Sequence, residues 1–142
     1  MAHSFEVEVR WKDGLRGEST PLGVPVTVPF SVPREFGGPG GEWTPEHFLS
    51  SAVASCVLAT FLSIAQMSKL AISAYEAKAV STMDKVDGAL RITQVDLSVK
   101  IAVKEEKDRE RAQRMIEKAE KLCPISNSLK VPVGVSATVV VA

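Results

Sequence analysis

Strict alternation opens the chain. Phe5, Val7, Val9 and Trp11 interleave with Glu6, Glu8, Arg10 and Lys12, which is the period of a half-buried strand. Asp13-Gly14 follows as a turn, and Leu15 to Thr20 can return as a second strand. Val24 to Val32 is rich in β-branched residues but holds Pro25 and Pro29, which cannot donate to a ladder, so an edge or interrupted strand is expected. At Thr44 the period changes. Thr44 suits an N-cap, Pro45 the first helical position, and Glu46 the positive end of the helix dipole. The helix they start can run to about Leu70. It is apolar or small on most faces, which places it at the centre of the fold, and its many Ser and Ala residues allow close packing against a neighbour, a second copy of the chain included. Ala74 to Met83 and Leu90 to Lys104 then read as two strands joined at Asp87-Gly88. In the second of these, Val95, Leu97, Val99, Ile101 and Val103 share one face. A helix from about Glu105 to Leu122 shows Ala112, Met115, Ile116, Ala119 and Leu122 at helical spacing, with a solvated charge run on its outer face. Val131 to Val141 is a last strand.

Composition narrows the class. The chain has 142 residues, 17 basic and 17 acidic side chains and 45% hydrophobic residues, which describes one soluble domain, residues 1–142, with a core that needs no disulfide staples. A net charge of zero offers no basic footprint for nucleic acid and no polybasic arm for a membrane. Phe48 to Leu70 is the most apolar stretch, but its serines, Thr60, Gln66 and Lys69 mark a buried helix rather than a membrane span. Met1 to Trp11 carries Glu6, Glu8 and Arg10 with no apolar run, so no secretory signal is expected and the cytoplasm is the default. In that reducing setting a disulfide would be chemical rather than structural.

Candidate chemistry is sparse. Pro33 to Gly41 is a glycine-rich loop without the frame of a phosphate-cradling one, so it reads as a structural or site-lining loop. His3 and His47 are the only histidines. Neither is spaced with a cysteine as in a zinc site, so no metal site is expected, and no G-x-S-x-G supports a serine hydrolase; no resident cofactor is assigned. The two cysteines remain. Cys56 lies mid-helix, where the helix dipole does little for a thiolate, so a nucleophilic Cys56 needs a cation. Cys123 closes the last helix, where the dipole disfavours a thiolate, which suits a second, resolving thiol better than a first nucleophile. Arg34 is the candidate cation, with Arg10, Arg16 and Lys12 as rivals, and Glu46 could orient it through a bidentate pair. Glu46 and Cys56 are separated by ten residues, about 15 Å along a straight helix, so they cannot touch within one helix. A shared site needs a bridging arginine, a bend, or groups from two chains.

Ser31 to Leu49 (SVPREFGGPGGEWTPEHFL) is similar to the loop and helix start of the OsmC/Ohr family of thiol-dependent peroxidases. Ser51-Ala52-Val53-Ala54-Ser55-Cys56 resembles the small-residue run that ends in that family's reactive cysteine. Leu122-Cys123-Pro124-Ile125-Ser126-Asn127 resembles its Cys-Pro-x-Ser turn, and the order of elements follows the family along nearly the whole chain. The resemblance implies an α+β OsmC-like fold, an antiparallel sheet packed on a long central helix, in an intertwined homodimer with its sites at the subunit boundary. It implies Cys56 as peroxidatic and Cys123 as resolving cysteine, with Glu46 matching the family's glutamate. The family's hairpin arginine is met here by Lys12, which cannot give a planar bidentate contact. Its loop arginine is met by Arg34 after allowing two extra residues, so Arg34 is the assignment, with Lys12 and Arg16 in reserve.

The implied reaction runs from a Cys56 thiolate, through a sulfenic acid, to a Cys56–Cys123 disulfide that an external lipoyl-type dithiol or small thiol reopens. Phe36, Trp43 and Phe48 could wall the site for alkyl or lipid hydroperoxides, or could equally be core or dimer-interface aromatics. The competing class is a non-enzymatic dimer that binds a small apolar or thiol-containing ligand at its interface, or a redox sensor. A third reading is a structural dimer with inert cysteines.

Overall fold

The computed structural model describes all of residues 1–142, in two compact units, Met1–Phe48 and Leu49–Ala142. The first unit is a three-stranded antiparallel sheet of β1 (Val7–Asp13), β2 (Arg16–Pro21) and β3 (Val28–Ser31), in the order β1-β2-β3. β1 and β2 pair from Val7 opposite Pro21 to Asp13 opposite Arg16, with an irregularity between Trp11 and Asp13. The turn therefore falls one residue later than the sequence suggests, on Gly14 and Leu15. β3 is a short edge strand, and Pro29 sits in it, where an edge tolerates a missing donor. The half-buried face expected of β1 is not covered. Val7, Val9 and Trp11 are all exposed, because this small sheet brings no layer of its own to lay over them.

After β3, residues Arg34–Phe36 form a single 3-10 turn. The glycine-rich loop beyond it closes on its own backbone. The Gly38 amide donates to Pro33 O at 3.0 Å, and a Cβ on Gly38 would lie 1.6 Å from Val32 O. No side chain fits there, which is the steric reason for glycine at this point. Helix α1 (Pro45–Met67) then starts as expected. The His47 amide donates to Thr44 Oγ1, and the Thr44 amide donates back to His47 Nδ1 at 2.9 Å. This is a capping box with histidine in the place usually held by Glu or Gln, and its threonine contributes about 1 kcal/mol.

The second unit carries the body of α1, β4 (Ile72–Val86), β5 (Ala89–Val103), α2 (Arg109–Leu122), α3 (Pro124–Asn127) and β6 (Val133–Val141). β4 and β5 form a long hairpin whose turn residues, Asp87 at φ 51° and Gly88 at φ 82°, are the two left-handed positions of a type I′ turn. The sheet order is β4-β5-β6. An antiparallel sheet is found for the hairpin, but β6 runs parallel to β5, because the connection between them is a helical crossover rather than a turn.

Val95, Leu97, Val99, Ile101 and Val103 of β5 are buried, as their alternation demands. Against them pack Val53, Val57, Phe61 and Ala65, a stripe one turn apart along α1, and Ala112, Ile116 and Ala119 of α2. Each large side chain buried there contributes about 1.5–3 kcal/mol. By length and composition α1 could cross a bilayer, yet its buried stripe is spent on the sheet. It is less enclosed than its all-round apolarity suggests. Ser55, Ala59, Leu62 and Ser63 remain exposed, because one sheet and α2 cover one side only. Lys69, at φ 55°, ends the helix, and the Leu70 amide reaches back to Ala65 O at 2.9 Å.

Tyr75 of β4 packs beside Phe61, with ring centroids 5.6 Å apart, and its hydroxyl is buried without a hydrogen-bond partner. Burial pushes this phenol up to about 12, from an ordinary value near 10. The neutral form is therefore favoured by folding. The stability this gives is fully present below about pH 10 and is lost as pH rises through about 12. Tyr75→Phe should remove the alkaline loss and leave neutral-pH stability unchanged or raised by up to about 1 kcal/mol, since an unmet hydroxyl is removed. Urea denaturation at pH 7 and pH 11 checks both parts.

Candidate active site

Cys56 and Cys123 are both free thiols, and the fold of the second unit brings them together. Cys56 lies on α1 between the buried Val53 and Val57 and is part-exposed. Cys123 extends the buried stripe of α2 after Ala112, Ile116 and Ala119, and is 0% exposed. Only Cys56 can therefore meet a molecule from outside.

The two thiols shift in opposite directions. Burial, and then the neighbouring Cys123, push Cys56 above its ordinary value, against the Ile125 amide and the Thr60 hydroxyl, which favour its thiolate. Burial also acts to raise Cys123, but Cys56, the Ser126 hydroxyl and the Ser126 and Ile125 amides outweigh it and hold Cys123 below the ordinary range. At the end of α2, where the dipole disfavours a thiolate, the next turn supplies Cys123 with donors. Cys123 ends α2 but also caps the start of α3, and its Sγ accepts from Ser126 N at 3.5 Å and Ser126 Oγ at 3.3 Å. Thr60 and Ser126 are the further partners of the thiols. Their signals were in the spacing, one turn on from Cys56 and three residues on from a residue that stands before proline.

The charged groups of the first unit pair differently from expectation. Glu46 and Arg34 form no ion pair within 4.0 Å. Arg34 instead lies along the loop, and a Cβ on Gly40 would come within 2.5 Å of its Nη2. The Glu46 Oε2 is buried and has no hydrogen-bond partner. It is Arg16, a reserve candidate, that is bound. Its Nε donates to Glu42 Oε1 at 3.0 Å, its Nη2 reaches the same oxygen, and its Nη1 donates to Asp13 at 3.2 Å. The hydrogen bonds between them hold the Arg16 guanidinium above its ordinary value and the Glu42 carboxyl below its own. Glu42 is an acid in a glycine-rich loop and carries no spacing signal in the sequence. Lys12 is held by Glu18 across the hairpin at 3.3 Å.

Of the aromatic candidates, Trp43 and Phe48 stack with centroids 5.4 Å apart, and Phe30 meets Phe48 edge-on at 5.9 Å. Phe36 takes no part in these ring pairs and is exposed.

Comparison with known proteins gives the family and the fold. Residues 38–137 match the family described as OsmC-like protein. The chain is 27% identical over 127 residues to the organic hydroperoxide resistance protein of Xanthomonas axonopodis pv. citri, covering 88% of this chain and 87% of that one. Among solved structures, an OsmC-like protein of unknown function from Vibrio cholerae superposes with a TM-score of 0.86 at 19% identity, covering 96% of this chain and all of that one. An organic hydroperoxide resistance protein from Elizabethkingia anophelis superposes with a TM-score of 0.77 at 19% identity, covering 100% of this chain and 99% of that one. These structural likenesses establish the fold.

Proposed function

This chain belongs to the OsmC-like protein family, and from that premise we propose that it is a thiol-dependent peroxidase that reduces organic hydroperoxides to alcohols in oxidative-stress defence. The observation that carries the reading is the pairing of two free thiols, one part-exposed and one wholly buried, from elements far apart in sequence.

The order of attack follows from access. Cys56 thiolate attacks the terminal oxygen of the hydroperoxide, the O–O bond breaks, and the alkoxide leaves as alcohol after taking a proton. Cys56 is left as a sulfenic acid. Cys123 then attacks the Cys56 sulfur, the disulfide forms, and the oxygen leaves as water. A lipoyl-type dithiol or another thiol reopens the disulfide by exchange. No resident cofactor enters any step. Burial raises Cys56, so a cation must favour its thiolate, and Arg34 is assigned that part. Glu46, with an unmet buried oxygen, is assigned as the acceptor that orients Arg34 in the working enzyme. Phe36, Trp43 and Phe48 are assigned as apolar contacts for the organic part of the substrate.

The working form is proposed to be a homodimer. Two apolar surfaces lack a cover within their own unit: the strand face of Val7, Val9 and Trp11, and the exposed side of α1 at Ala59 and Leu62. The cytoplasm remains the proposed compartment.

The test is consumption of cumene hydroperoxide and of hydrogen peroxide with dihydrolipoamide as reductant, at the oligomeric state fixed by analytical ultracentrifugation. Turnover that prefers the organic peroxide, by a dimer, is expected. No turnover above background, with Cys56 unoxidised, would leave a ligand-binding dimer as the better reading.

A further inference from the structure

Cys123 sits in a pocket of donors that the first chemical step does not use. Its sulfur is wholly buried, and both the hydroxyl and the backbone N–H of Ser126 point at it. A neutral thiol is a weak acceptor and gains little from two donors, whereas a buried thiolate needs them. Pro124 contributes by omission, since it has no N–H, and the first free donors of this turn belong to Ile125 and Ser126.

We propose that Ser126 is a positioning residue for the disulfide-closing step, holding Cys123 as the attacking sulfur toward Cys56. The inference rests on the peroxidase reading and assigns a residue to its second half. The Cys123 thiolate attacks the sulfur of Cys56 sulfenic acid, the S–S bond forms and the S–O bond breaks. The hydroxide leaves as water with the proton that Cys123 released on ionising. Peroxide supplies the oxidation, so no other oxidant is required. The lowered titration of Cys123 supports the arrangement, since the Ser126 donors are among its causes. Fast closure also protects Cys56, because a sulfenic acid that lingers meets a second peroxide and becomes a sulfinic acid.

The experiment is a single turnover with one equivalent of cumene hydroperoxide, quenched with dimedone to trap sulfenic acid and read by intact mass. In Ser126→Ala, sulfenic acid should form as in wild type, while disulfide closure slows roughly tenfold. The pH at half-maximal closure should rise by about 1. Ser126→Thr, which keeps the hydroxyl, should restore closure. In a Cys56→Ser background, thiolate absorbance near 240 nm reports Cys123 alone, and adding Ser126→Ala should move its titration upward. Unchanged closure and an unchanged Cys123 titration overturn the proposal while the peroxidase reading survives. Equal slowing of both steps also overturns it, since Ser126 would then act on the site as a whole. Wild-type Cys56 that resists oxidation removes the peroxidase reading and this inference together.

Discussion

Cys56→Ser should bring cumene hydroperoxide consumption down to the uncatalysed thiol background, a loss of roughly a thousandfold or more. The bond that forms in the first step is S–O, and a serine oxygen can neither be oxidised in this way nor ionise near neutral pH. Cys123 cannot take over, because it is 0% exposed and a substrate has no path to its sulfur in this packing. Cys123→Ser should behave differently. The first equivalent of peroxide should still be consumed, and Cys56 should then stay as sulfenic acid until the external thiol reduces it directly. Peroxide loss followed over time, with the mass of the protein read alongside, separates the two variants. The roles assigned to the two cysteines would be reversed if Cys56→Ser kept its turnover and Cys123→Ser lost the first equivalent.

Much of the fold was readable because its signals are local and periodic. The alternation of Val95 to Val103, the Asp87-Gly88 turn and the Thr44-Pro45 helix start each report one element and its neighbours. What could not be read depends on contacts between distant residues. The parallel run of β6 beside β5 is set by a crossover, and nothing within Val133–Val141 announces it. The alternation of β1 shows that a face wants cover, not where the cover comes from, so Val7 and Trp11 stand exposed.

The site divides in the same way. The meeting of Cys56 and Cys123 agrees with two motifs legible in the chain. The support of Cys123 by Ser126 was hidden by reading the residue as the end of one helix and not also as the start of the next. The Arg16–Glu42 pair was hidden because partners 26 residues apart on a strand and a loop share no period.

Arg16 and Arg34 set the second large effect, and their present pairing separates them. A part-buried Cys56 with a raised pKa needs a positive charge to become a nucleophile at neutral pH. Arg16 is already held by Glu42 and Asp13, so its guanidinium is committed to tying β2 to the Glu42 loop. Arg34 has no carboxylate within 4.0 Å, which leaves its guanidinium free to be oriented by Glu46 toward a thiolate. Arg34→Ala should therefore lower kcat/KM for cumene hydroperoxide by about 10²–10³, the size of one lost charge-stabilising donor. Arg34→Lys should recover part of the loss and not all of it, because an ammonium keeps the charge but not the planar fork. Arg16→Ala should act chiefly on the hold between β2 and the Glu42 loop, with a lower melting temperature and less than about a tenfold change in kcat/KM. Steady-state kinetics on the three variants, beside their thermal melts, make the comparison. If Arg16→Ala melts like wild type yet loses the greater share of activity, the activating cation is Arg16 and Glu42 is its orienting partner.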